Sequence, residues 1–186
     1  MAGPMRTTYQ PWIDESDCRL DDFRAQVQRD TALADYPSAH DVRSNVPVYA
    51  ADAVHVCGRR VLQSELIRAL AGGPGVVVFE GAFSADIVDR ASGAFFDIIA
   101  AQHAAGAAAG DHFGKPGAND RIWNAAQKLA LHAPDVFAEY YANATLAIIC
   151  QAWLGPRYQV TSQVNVVNPG GTQQVPHRDY HLGFVG

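Results

Sequence analysis

Between Tyr158 and Val167 the side chains alternate with a period of two. Tyr158, Val160, Ser162, Val164 and Val166 fall on one side of an extended chain, and Gln159, Thr161, Gln163, Asn165 and Val167 on the other. This pattern predicts a strand with one mostly apolar face and one mostly amide- or hydroxyl-bearing face. If the polar face meets water, it is an ordinary half-exposed strand. If it turns inward in a barrel, it lines a wet cavity able to hold a ligand. Asn168-Pro169-Gly170-Gly171 follows directly and favours the second reading, because Pro169 and Gly170 suit the central positions of a type II turn that folds the chain back beside the strand.

The residues returned by that turn carry the chemistry. They are Pro176-His177-Arg178-Asp179-Tyr180-His181. In an extended segment His177 and Asp179 share a face, about 7 Å apart along the backbone, so an imidazole and a carboxylate can lean onto one metal ion. With a distant second His they would form the two-His-one-carboxylate triad of non-haem Fe(II) sites. A His-x-Asp triplet arises readily by chance in surface loops, but the strand and turn before it give this one a pocket to face. His181 shares their parity yet lies about 13 Å from His177 if the strand continues, which suits a pocket or outer-shell residue better than a third ligand. A helical segment would instead make His177 and His181 an i, i+4 pair able to grip zinc, but the Glu of an HExxH motif is missing.

No other constellation competes. His40, His55, His103, His112 and His132 are scattered without ligand spacing and are expected at the surface. Gly72-Gly73-Pro74-Gly75 precedes a strand-like run and has no following Lys-Ser/Thr, and Gly110 to Gly117, with Lys115, also lacks a phosphate-loop pattern. There is no GxSxG elbow. Arg121, Trp123, Asn124 and Lys128 could reach a cavity mouth, but a solvated helix face is the expected account. A net charge of −5 over 186 residues gives no basic field for nucleic acid, so the expected partner is a small molecule. The N-terminal residues lack the apolar core of a secretory signal and no apolar run approaches a bilayer's thickness, which sets the expectation of a cytoplasmic protein without a membrane partner. Cys18, Cys57 and Cys150 are widely spaced and read as free thiols.

The chain divides into an N-terminal helix and loop region, 1–74, and a second region, 75–186. In the first, Asp14 or Ser16 is expected to cap a helix through Leu20, Phe23 and Val27. Val46 to Tyr49 reads as extended, and Ser64 as the cap of a short helix closed by Gly72-Gly73. In the second, Gly75 to Phe79 reads as a buried strand. Ser84 is expected to open a helix whose core face is Ile87, Val88, Ala91, Phe95, Ile98 and Ile99. Asp120 is expected to cap a short helix, and Pro134 to start a single long helix running to the Gly155-Pro156 stop.

The run Gln163-Val164-Asn165-Val166-Val167-Asn168-Pro169-Gly170-Gly171 with Val175-Pro176-His177-Arg178-Asp179-Tyr180-His181 resembles the metal-binding region of the phytanoyl-CoA dioxygenase family. The resemblance extends in element order from about Gly75 and rests mainly on the last twenty-five residues. It implies an α+β fold built on an incomplete double-stranded β-helix, a cupin-like jelly roll with flanking helices. It further implies an Fe(II)- and 2-oxoglutarate-dependent dioxygenase that uses O2 to hydroxylate an unactivated C–H bond. His177 and Asp179 would be metal ligands, with Gln163 and Asn165 near 2-oxoglutarate or substrate. Halogenating relatives lack the carboxylate that Asp179 supplies, so hydroxylation is the implied outcome. The family's distal His and the Arg that anchors 2-oxoglutarate follow the motif. The chain therefore reads as an N-terminal fragment that is inactive alone. A shortened, non-catalytic jelly-roll binding or structural protein is the alternative, and a metal protein of another class completed by an upstream His a further one.

Overall fold

In the computed structural model, residues 14–106 and 118–171 are described, and they fall into two compact units that meet between Glu80 and Gly81. Both mix helices and short strands, so the α+β class expected from the sequence is what forms.

In the first unit, strands β1 (Asp41–Arg43) and β2 (Val46–Ala50) make an antiparallel hairpin. Its two loop residues, Ser44 and Asn45, both have positive φ, the primed turn whose twist matches that of the flanking strands. Helices α2 (Ala53–Cys57) and α3 (Arg59–Ala71) then carry the chain to β3 (Val78–Glu80), which pairs parallel with β2. A short helix, α1 (Leu20–Val27), precedes them. Its apolar residues Leu20, Phe23 and Val27 are exposed, and neither Asp14 nor Ser16 caps it; Arg19 holds the cap position, its side chain paired with Asp22 rather than capping the helix.

Helix α3 buries Leu62, Glu65, Leu66 and Ala69, a single stripe at helical spacing, and Val48 and Tyr49 of β2 are buried as well. Glu65 keeps a buried carboxylate because both of its oxygens accept the Ser38 backbone N–H, at 3.1 and 3.2 Å. Burial, reinforced by the Glu65 charge, pushes the Tyr49 phenol well above its ordinary range. Gly73 is required by contact: a Cβ there would sit 2.9 Å from the Ala69 carbonyl oxygen.

Two expectations for this unit are corrected. The helix begins at Arg59, after the positive-φ Gly58, and Ser64 lies within it instead of capping it. The Gly75 to Phe79 strand shrinks to Val78–Glu80 at the sheet edge, where Val78 is exposed; an apolar run predicts burial only when a neighbour covers both faces.

The second unit is organised by α4 (Ala85–Ala104). Ser84 caps it as the sequence predicts, its Oγ accepting the Ile87 N–H. The N-terminal half of α4 packs Ile87, Ala91 and Ala94 against Leu129 of α5 (Ala125–His132) and Val136 of α6 (Pro134–Tyr141). Arg90 reinforces this docking from the rim, reaching Glu139 at 2.6 Å and Asp135 at 3.4 Å across to α6. The C-terminal half packs Ile98 and Ile99 against Ile122 of β4 (Asn119–Ile122), with Ala125 and the valines of β5 (Val164–Val167) closing the cluster. β4 and β5 form an antiparallel two-stranded sheet.

The helix expected from Pro134 to Leu154 is broken, and Asn143 explains the break. α6 ends at Tyr141 and α7 (Ala144–Leu154) starts anew, capped by the Asn143 Oδ1, which accepts the Leu146 N–H at 2.8 Å. The same side chain donates through Nδ2 to the Ala82 carbonyl oxygen. A residue that favours caps thus overrides an otherwise continuous apolar periodicity. Asn143→Ala removes both bonds and is expected to cost about 1–2 kcal/mol, read as a lower urea midpoint with an unchanged slope.

Asp120 likewise caps no helix: it is the second residue of β4. No helix among the described residues is long and apolar enough to cross a membrane.

Candidate functional site

The alternation read from the sequence survives in β5. Val164 and Val166 turn toward α4 and pack on Ile98, Ile99 and Ile122, whereas Gln163 and Asn165 are exposed on the opposite face. Only Val164–Val167 enters a ladder, since β4 offers four partners, and the expected strand from Tyr158 is correspondingly shorter. Val160 keeps its helix-side parity but is half exposed, lining a cavity of about 220 Å³ with Phe137, Tyr141, Leu146 and Tyr158. Ser162 is fixed here too, by a 2.7 Å bond with the Tyr141 hydroxyl and by its carbonyl oxygen, which accepts the Ala125 N–H.

β4, which the sequence reading missed, adds a second row of side chains. The register sets Arg121 opposite Asn165 and Asp120 opposite Val166, so Arg121 shares the amide face and Asp120 the helix face. Arg121 therefore does not stand on a solvated helix face. Its guanidinium lies over the Trp123 ring, 4.6 Å from the centroid. The amide face thus sets Arg121 beside the Asn165 carboxamide. A faint signal was available: Asn-Asp-Arg-Ile puts one apolar residue among polar ones, too short a run to separate strand from turn.

Asp120 is nearly buried, with its side chain 15% exposed, and each oxygen has a partner. The His103 imidazole of α4 donates to Oδ1 at 2.5 Å, and the Asn168 carboxamide donates to Oδ2 at 2.8 Å. The Asn168 bond and then the His103 bond hold the Asp120 carboxyl below the usual carboxylate range. His103 lies at the surface, as the sequence predicts, but with a carboxylate partner.

The turn takes the form the sequence predicts. Gly170 has φ of 88° and the Gly171 N–H donates to the Asn168 carbonyl oxygen at 2.8 Å, as a type II turn requires. His177, Asp179 and His181 lie outside the described residues, as does the stretch 107–117 with His112 and Lys115. Among the described residues no three His, Cys, Asp or Glu side chains converge as metal ligands would. Of the described residues, His103 and Asp120 pair an imidazole with a carboxylate beside the sheet, and they are engaged with each other.

No curated protein and no solved structure matches the chain. The sequence model of the phytanoyl-CoA dioxygenase family (PhyH) matches residues 73–186, a span that holds β4, β5, the turn and the His-x-Asp motif. The chain belongs to the phytanoyl-CoA dioxygenase family.

Proposed function

We propose that this chain is the N-terminal, metal-binding part of an Fe(II)- and 2-oxoglutarate-dependent dioxygenase that hydroxylates an unactivated C–H bond of a small organic substrate. The observation that carries the reading is the family match over 73–186, a span that contains His177-Arg178-Asp179, which resembles the family's metal motif. Fe(II), when bound, supplies O2 activation driven by decarboxylation of 2-oxoglutarate.

The chain's own residues have separate tasks. His177 supplies a neutral imidazole ligand and Asp179 an anionic one. Gln163 and Asn165 hold 2-oxoglutarate or substrate by carboxamide hydrogen bonds; their shared face with Arg121 supports that role. The β4–β5 ladder is the first ladder of the family's jelly roll, with α4 on its outer side, and 75–186 is the catalytic region. The third ligand and the basic partner of the far carboxylate come, as in the family, from sequence beyond the motif. A small-molecule substrate, rather than nucleic acid, agrees with the net charge of −5.

The test measures Fe(II)-dependent CO2 release from 2-oxoglutarate labelled at C1, by the 186-residue chain and by the chain extended along its reading frame. Turnover by the extended chain alone is the expected result. Turnover by the 186-residue chain would place a third ligand within it. Failure of both, with no Co(II) bound, would favour a non-catalytic jelly-roll binding protein.

A further inference from the structure

We propose that Arg29 and Arg68, on either side of Tyr36 in the sequence, form a binding site for a phosphate group in the first unit, outside the span matched by the family. The inference is independent of the iron reading.

The chain has 14 lysine and arginine residues against 19 aspartate and glutamate, so a surface arginine readily finds a carboxylate. Arg19, Arg24, Arg43 and Arg90 each do. Arg29 and Arg68 pair with no carboxylate among the described residues. Instead Arg29 Nη1 donates to the Gly72 carbonyl oxygen at the end of α3, at 3.3 Å, and Arg68 Nη2 to the Asp35 carbonyl oxygen at 2.7 Å. A carbonyl oxygen holds a guanidinium in place without neutralising it, and each such bond occupies one N–H of the five. Both side chains are exposed, so a ligand reaches them without any opening of the fold.

The two arginines line one cleft of about 630 Å³ together with Tyr36, Pro37 and Gly72. The Arg68 guanidinium lies over the Tyr36 ring, 5.9 Å from its centroid, which steadies it from a second side. Asp35 lines the same cleft, but its carboxylate meets neither guanidinium among the described residues. Asp30 stands on an adjoining cavity of about 340 Å³ and not on this one. The cleft therefore sets two cations against one anion, in a chain whose net charge is −5.

A phosphate suits this set better than a carboxylate does. Two planar forks arriving from different segments need acceptor oxygens that face two ways, which a tetrahedral phosphate offers and a carboxylate, with two oxygens in one plane, does not. The bland account is that the two arginines only tie residues 29–35 to α3, with no ligand between them.

The discriminating experiment titrates inorganic phosphate and glycerol 3-phosphate into the full chain at constant ionic strength, with succinate as the carboxylate comparison, and follows backbone amide NMR shifts. Saturable shifts at the Tyr36 and Gly72 amides are expected from both phosphates. Arg29→Gln and Arg68→Gln each keep a side-chain donor and lose the charge. Each is expected to weaken phosphate binding roughly tenfold, the loss of one charge-assisted contact. Arg24→Gln, which removes a charge outside the cleft, should change nothing. Tighter binding of glycerol 3-phosphate identifies an organic ester as the ligand, and equal binding identifies phosphate itself; either supports the site. Shifts that are absent, that fall elsewhere, or that succinate reproduces at the same concentration overturn it, as do unchanged affinities in both Gln variants. Mapping on the unaltered chain decides the matter even where a variant fails to fold.

Discussion

Replacing His177 by Ala is expected to abolish Co(II) binding by this chain while leaving its thermal transition in place, and Asp179→Ala is expected to do the same. Each change deletes a ligand atom outright, so the loss should exceed the roughly 10–100-fold that changes in supporting residues produce. Asp179 also removes the site's negative charge, which a dication needs to offset the desolvation of its donors. His181→Ala should be milder, since in an extended segment its spacing puts it about 13 Å from His177. Equilibrium titration with Co(II) alongside a melting curve separates ligand loss from unfolding. Undiminished binding in both variants would mean that His-x-Asp is a coincidence of three letters.

Ile122→Ala carries the largest expected effect on the fold. Its side chain is fully buried between Ile98 and Ile99 on one side and Val164 and Val166 along the ladder. A cavity at that point costs about 2–5 kcal/mol. Against a total stability of about 5–15 kcal/mol, this is a large part of what holds the unit together. Val164→Ala should cost less, because Val164 is only partly buried and loses fewer contacts. Urea denaturation of both variants decides the matter: equal midpoints would mean that β4 is not the centre of this cluster.

What could be read from the sequence was local. Ser84 precedes a strong periodic run and caps it; Pro169-Gly170 can form few turns and forms the expected one; Val164 and Val166 show by parity alone which way they face. The elements that escaped depend on partners distant in the chain. β4 exists because Asn119–Ile122 finds β5, and nothing within its four residues announces a strand. Val78 looked buried because it is apolar, but an edge strand leaves it exposed. The break at Asn143 is an intermediate case: its capping chemistry is local, but the bond to Ala82 that completes it is not. The candidate site divides in the same way. The His-x-Asp motif stands out by residue type alone, whereas the placement of Asp120 and Arg121 could not be read, since it arises only from the register of β4 on β5.

The single helix α4 has a bearing on how this region loses its structure. Its first half belongs to the helical cluster with Leu129 and Val136, and its second half to the sheet cluster with Ile122. A continuous helix cannot melt at one end without weakening the hydrogen-bond ladder that orders the other. The two clusters are therefore expected to unfold together, with damage at Leu129 felt at β4 and β5 through α4.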